Sequence, residues 1–353
     1  HTVFMCFLTT MGLLGIFKTF SAFLPGKSKA LLAAVFLLPS VLFWGSGVLK
    51  EALLLFALGM SIYHFFLLLN EKTTIYRLCC LVFFLFLLSI TKLYMFLVIL
   101  PVFIAHTWIS KTKNSYPEIK YLSVLVIYFS LGLLIPKYDF PFMLMEKQRQ
   151  AVYMARGGSY LANHSINRFV YIDPKTEKRI TPLSDKPGFC KIIPGVSYVS
   201  WDLTTSRDST YTENSADTNT YFIFYDQAAA GSNIKIPLLD GTFFSILKNS
   251  PVAFLNTFLR PYIWESRNPL MLLSAVENIF IVLFISICLF FYSKKIKSRH
   301  LIYFCISIPV LLFVLIGLTT PVLGAAVRYK IPALPFLLIA FLFLLDKNKL
   351  LRK

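Results

Sequence analysis

Six ionic residues stand where so apolar a chain gives least reason for them. Lys50 and Glu51 follow Trp44-Gly45-Ser46-Gly47, and Lys92 interrupts two apolar runs. Arg260 opens the run Arg260-Pro261-Tyr262-Ile263-Trp264-Glu265, and Arg328 and Lys330 precede Pro332 and Pro335. Ionisable groups close to a hydrocarbon slab are costly, so each raises a functional hypothesis by default. Arginine offers a planar fork of donors that matches phosphate, and lysine offers a compact charge. A carboxylate beside them is a candidate acid or base. Together they suggest chemistry on a phosphate-bearing substrate. Glu51 would be catalytic, and Lys50, Lys92, Arg260, Arg328 and Lys330 would contact the phosphate. Plainer readings stand beside these. Lys50-Glu51 also fits a solvated turn, with Glu51 at the positive end of the next helix. The segment around Arg260 also fits an anchoring belt with snorkelling side chains.

The elements that must position these residues are membrane helices. The 353 residues are 57% hydrophobic and 15% charged, with a mean hydropathy of +0.68. Soluble domains are roughly 45–50% apolar and about 25% charged. Several continuous apolar runs approach the roughly 20 residues needed to cross a bilayer. Continuous rather than alternating runs exclude a transmembrane β-barrel. The formal charge of +18 lies largely in short loops beside helix ends. That pattern is expected of membrane topology, so nucleic acid is not the expected partner. No phosphate loop, nucleophile elbow, zinc-protease or dinucleotide fingerprint is present. Nor do the cysteines and histidines show zinc-ligand spacing. No cofactor is expected, although a divalent ion remains compatible with the chemistry.

Nine spans are expected: Val3–Phe23, Leu31–Val48, Ala52–Leu69, Leu78–Ile90, Leu93–Ile109, Tyr121–Ile135, Pro269–Tyr292, Leu301–Leu318 and Ile331–Leu345. The chain opens on His1 and runs straight into apolar sequence, so residues upstream are expected. Alternating the loops between two sides puts fifteen basic residues on one side and four, Lys50, Lys92, Arg328 and Lys330, in the short loops of the other. Basic residues near span ends resist translocation, so the richer side is cytoplasmic. The same bookkeeping puts the polar segment 137–268 outside.

The expected organisation is therefore helices 1–6 in 1–136, an extracytoplasmic α+β insert in 137–268, and helices 7–9 with a basic cytoplasmic tail in 269–353. Within the insert, Met145–Met154 reads as a helix stopped at Gly157-Gly158. Arg168–Asp173 and Thr220–Asp226 read as strands. Ser206–Asn219 reads as a loop, and Thr242–Asn249 with Pro251–Phe258 as two interfacial helices. Glu277 and Asn278 lie inside a span, with Glu277 expected to pair with a basic group.

The run Pro39–Glu51 resembles a segment of bacterial multi-pass proteins akin to the GT-C-type glycosyltransferases. Arg328-Tyr329-Lys330-Ile331-Pro332 resembles the start of their late helix, where an arginine often serves the lipid-phosphate donor. The likeness extends loosely from Pro25 to the C-terminus. It implies a bacterial inner-membrane enzyme that takes a sugar from a polyprenyl-phosphate carrier on the outer face, in cell-surface glycan synthesis. Membrane lipid and the lipid-linked sugar are the implied partners. That family's essential acidic residue lies in the first outer loop, which here would precede His1. Two other expectations remain open. One is a polymerase or ligase using undecaprenyl-pyrophosphate oligosaccharide, relying on arginines without a carboxylate base. The other, of a different class, is a non-catalytic membrane protein or a transporter.

Overall fold

The computed structural model describes the chain except residues 72–73, 113–115, 135–138, 164–167, 173–178, 203–207, 215–218, 294–297, 347–348 and 350–353. The expected turn at 174–177 and several rim cations, among them Lys72, Lys113 and Lys294, lie outside the described residues. The rest forms two units. One comprises His1–Pro141, Ile246–Leu318 and Gly324–Lys353; the other comprises Phe142–Ser245 and Thr319–Leu323. Residues 246–268, assigned to the insert from sequence, belong to the first unit.

The first unit is helical. Its helices are α1 (Thr2–Ser21), α2 (Ser28–Phe36), α3 (Pro39–Ser46), α4 (Lys50–Asn70), α5 (Ile75–Thr91), α6 (Leu93–Lys111) and α7 (Pro117–Leu134). After α8 (Phe140–Arg156) come α9 (Phe243–Leu259), α10 (Pro269–Phe290), α11 (Arg299–Thr319), α12 (Leu323–Lys330) and α13 (Leu334–Leu344). Among the described residues, six stretches are long and apolar enough to cross a membrane, or seven if the bent pair α2–α3 counts as one. This is a multi-pass membrane protein.

Nine spans were expected, and the difference has local causes. The expected span Leu31–Val48 is two short helices meeting at 48°, because Pro39 starts a new helix and leaves Leu38 extended. Helix α5, with 17 residues, is at the short end of the crossing range, and α7, which carries the expected span Tyr121–Ile135, is likewise not among the six. The last span begins earlier than expected. It takes in α12 and runs Leu323–Leu344, so Arg328 and Lys330 lie within it rather than before it.

Glycine sets the tightest helix crossing. A Cβ on Gly59 would stand 1.9 Å from the Gly12 carbonyl oxygen, and one on Gly12 would stand 2.2 Å from that of Leu55. Helices α1 and α4 therefore touch backbone to backbone, the small-residue packing that membrane helices use. Thr9 Oγ1 donates to Gly45 O at 2.7 Å, tying the end of α3 to the same place. The aromatic core of Phe20, Phe66, Phe304 and Phe336 is buried to within a few per cent. Lys27 Nζ donates to the carbonyls of Leu342 at 2.7 Å and Leu345 at 2.5 Å. It thereby caps α13, whose last carbonyls lack helical partners.

The second unit is a seven-stranded antiparallel sheet reached through α8. Its strands are β1 (Gly158–Asn163), β2 (Arg168–Ile172), β3 (Ile180–Pro182), β4 (Phe189–Ile192), β5 (Ser197–Asp202), β6 (Asp208–Thr212) and β7 (Tyr221–Gln227). They lie in the order β3-β4-β7-β1-β2-β5-β6. Both expected strands and the helix are found, and Gly157 (φ 74°) and Gly158 (φ 96°) make the left-handed turn that ends α8. The expected loop 206–219 contains β6, which pairs with β5 from Ser197↔Thr212 to Trp201↔Asp208. Its Thr and Tyr residues favour a strand, a signal masked by the polar residues around it. The two expected interfacial helices are one, α9, with Pro251 inside it. One sheet face buries Leu161, Val170, Ile172, Cys190, Ile192 and Tyr221.

Candidate functional site

Helix α4 begins at Lys50 because Gly47 and Leu49 are extended and release the chain from α3. Glu51 then sits in the first helical turn, where the helix dipole favours an anion. It is only 1% exposed. Lys92 is the single extended residue between α5 and α6, so its side chain leaves the joint of a helical hairpin. Arg328 comes from α12, a helix absent from the sequence reading. These three meet. Lys92 Nζ donates to Glu51 Oε1 at 3.1 Å, and Arg328 Nη2 donates to Glu51 Oε2 at 2.6 Å. A carboxylate this buried is tolerable only when paired and hydrogen-bonded, and here each oxygen has its own cation.

Aromatic rings complete the cluster. The Lys92 ammonium lies 4.1 Å from the Tyr329 ring centre and 5.6 Å from that of Tyr94. The Arg328 guanidinium lies 5.5 Å from the Trp44 ring centre. Both cations are within the range of attraction to a ring face. Among the described residues, neither the buried Tyr94 hydroxyl nor the buried Arg328 Nε has a hydrogen-bond partner. Two cations on one carboxylate leave an excess positive charge, with exposed Lys50 next along the chain. Spare donors and surplus positive charge suit an anion bearing several oxygens.

The other expected contacts lie elsewhere. Lys330 is 2% exposed, and its ammonium is bound to Asn278 Oδ1 at 2.7 Å, the Arg260 carbonyl at 3.1 Å and the Thr257 carbonyl at 3.4 Å. These partners account for the three hydrogens of an ammonium group. Lys330 thus knots α9, α10 and α12 together. Arg260 Nε faces Glu265 Oε1 at 3.4 Å, and its guanidinium lies 5.8 Å from the Tyr262 ring centre. Its carbonyl is held by Lys330 of α12, and among the described residues no contact between its guanidinium and the Glu51 cluster is found. Among the described residues Glu277 makes no direct salt bridge, and the basic group acting on it through its charge is Lys330. Glu277 accepts from Ser40 Oγ at 2.9 Å and Ser40 N–H at 3.2 Å, close to the α2–α3 break.

The sequence reading overlooked Trp44, Tyr94 and Tyr329 as members of the cluster. Tyr329 adjoins Arg328, Tyr94 is two residues from Lys92 and Trp44 is six from Lys50, and aromatic residues near expected span ends read as a membrane belt. The available signal was Tyr329 itself, placed between Arg328 and Lys330. Among the described residues no group of three or more His, Cys, Asp or Glu side chains could hold a metal. Comparison with family models, characterised proteins and solved structures finds no match.

Proposed function

We propose that this protein is a bacterial inner-membrane glycosyltransferase that moves a sugar from a polyprenyl-phosphate carrier to an acceptor on the outer face, in cell-surface glycan synthesis. The observation that carries the reading is the buried Glu51–Lys92–Arg328 cluster with its two unpartnered donors. Arg328 and Lys92 would hold the carrier phosphate, with Lys50 beside them. The acceptor hydroxyl would attack the anomeric carbon, the bond from that carbon to the phosphate oxygen would break, and the phosphate would leave with the electron pair. The acceptor proton needs a base. Glu51 can take it only if a cation is drawn off its carboxylate, and an arriving phosphate does that by competing for Lys92 and Arg328. Binding the carrier would then uncover the base. The rim-charge count favours the outer face, because it assigns Lys50, Lys92 and Arg328 to the side with fewer basic residues.

The test uses the protein in vesicles, with polyprenyl phosphate as probe and a polyprenyl-phosphate hexose as donor. Arg328→Ala should weaken carrier binding about 10- to 100-fold, the range for a lost charge-assisted hydrogen bond. Glu51→Gln should keep carrier binding and lose transfer. Carrier binding equal in wild type and Arg328→Ala would sink the proposal.

A second reading draws on the occupation of both Glu51 oxygens. Here the carboxylate only orients the cations, and the donor is a pyrophosphate-linked oligosaccharide whose leaving group needs no carboxylate base. It predicts that Glu51→Gln retains transfer from an undecaprenyl-pyrophosphate oligosaccharide, while Arg328→Ala does not.

A further inference from the structure

A groove of about 610 Å³ opens on the helical unit among α4, α5 and α6. Its polar and apolar residues are sorted along its length. Phe65, Leu81, Phe103 and Ile104 line one part, whereas Lys111 and Thr112 line the other end, with Thr107 and Trp108 between. Phe103 and Lys111 are eight residues apart on one helix, a distance of about 12 Å at 1.5 Å per residue. The floor is preformed: the Phe65 and Phe103 rings stack with centres 3.9 Å apart and planes within 7°. Trp108 is 43% exposed and lies three residues before Lys111 near the end of α6, the kind of position where tryptophan marks a headgroup boundary. At the polar end Lys120 Nζ donates to Thr112 Oγ1 at 2.6 Å, so a second ammonium reaches the rim of the groove through the lining residue Thr112. No acidic side chain lines the groove among the described residues.

We propose that this groove is a binding site for one anionic phospholipid, with its phosphate on Lys111 and Lys120 and an acyl chain along the Phe65–Phe103 floor. Two ammonium groups with no lining carboxylate complement an anionic headgroup. The groove runs along a membrane-spanning helix, as an acyl chain does. The site is separate from the Glu51 cluster and does not rest on its proposed chemistry.

The experiment puts the full chain in phosphatidylcholine vesicles carrying a few per cent of a photo-crosslinking phosphatidylglycerol, and maps labelled peptides. Labelling should concentrate in 103–112 and be competed by unlabelled phosphatidylglycerol but not by phosphatidylcholine. The double variant Lys111→Gln/Lys120→Gln should lower it at least about fivefold. Ile104→Trp, which fills the groove without touching charge, should lower it too while labelling elsewhere on the protein stays constant. Equal labelling of 103–112 by a photo-crosslinking phosphatidylcholine, or unchanged labelling in the double variant, would overturn the proposal.

Discussion

Glu51 depends on two cations that reach it from other helices, and they depend on it. Removing one partner of a buried ion pair leaves an uncompensated charge and costs about 3–5 kcal/mol. Glu51→Ala should therefore lower stability by about that amount in detergent, measured by thermal unfolding. The double variant Glu51→Ala/Arg328→Ala should cost less than the two single changes added together. Lys330→Met tests a different role. It should destabilise the helical unit by leaving Asn278 and two carbonyls without their donor, while any folded protein keeps polyprenyl-phosphate binding within about twofold. In the sheet unit, burial pushes the Cys190 thiol from 9.0 up to about 11. The folded state then holds its proton over a range where the unfolded state has lost it. Stability should accordingly be full below about pH 9 and fall as pH rises towards 11. Cys190→Ala should flatten that fall, read by unfolding at successive pH values. At this scale the sequence exposed the ionic residues, because charge in an apolar chain is conspicuous. The aromatic partners were hidden, because an aromatic ring near a span end has a plainer use.

Elements decide how those residues meet. The α1–α4 crossing fixes the helix that carries Glu51, and no space exists there for a methyl group. Gly59→Ala, with its new carbon 1.9 Å from a backbone oxygen, should destabilise by more than about 2 kcal/mol as the helices are forced apart. Gly231→Ala, with nothing within 4 Å of the added carbon, should stay within about 0.5 kcal/mol. Long apolar helices were legible because hydrophobic runs of that length have few other uses. Their breaks were less legible. Pro39 divides a span, yet Pro101 and Pro309 lie inside unbroken helices, because neighbouring groups can satisfy the freed carbonyl. Strand β6 was missed since exposed strands of Ser, Thr and Tyr look like loops.

For the molecule as a whole, rim-charge alternation in the sequence assigns Lys50, Lys92 and Arg328 to one side. The structure gathers Lys92 and Arg328 on Glu51, the residue after Lys50. Which side faces the cytoplasm is a separate expectation, tested by labelling. A membrane-impermeant maleimide added to intact cells should modify cysteine placed at Ser209 and leave cysteine at Ser298 untouched. The reverse pattern would invert the orientation. The two-unit division was legible as a change from apolar to polar sequence. Residues 246–268 group with the helical unit, where α9 is apolar enough to pack on α11 through Ala253 and Gly317 despite its place beside the polar segment.

Glu51 and Arg328 are 277 positions apart, whereas Glu51 and Lys92 are 41 apart. A ribosome making this chain releases the carboxylate and its first counter-ion 41 residues apart, and supplies the second only 277 residues after the carboxylate. While those intervening residues are made, the ionic centre of the nascent chain stays half assembled. Any membrane chaperone that shelters such intermediates would meet it in that state.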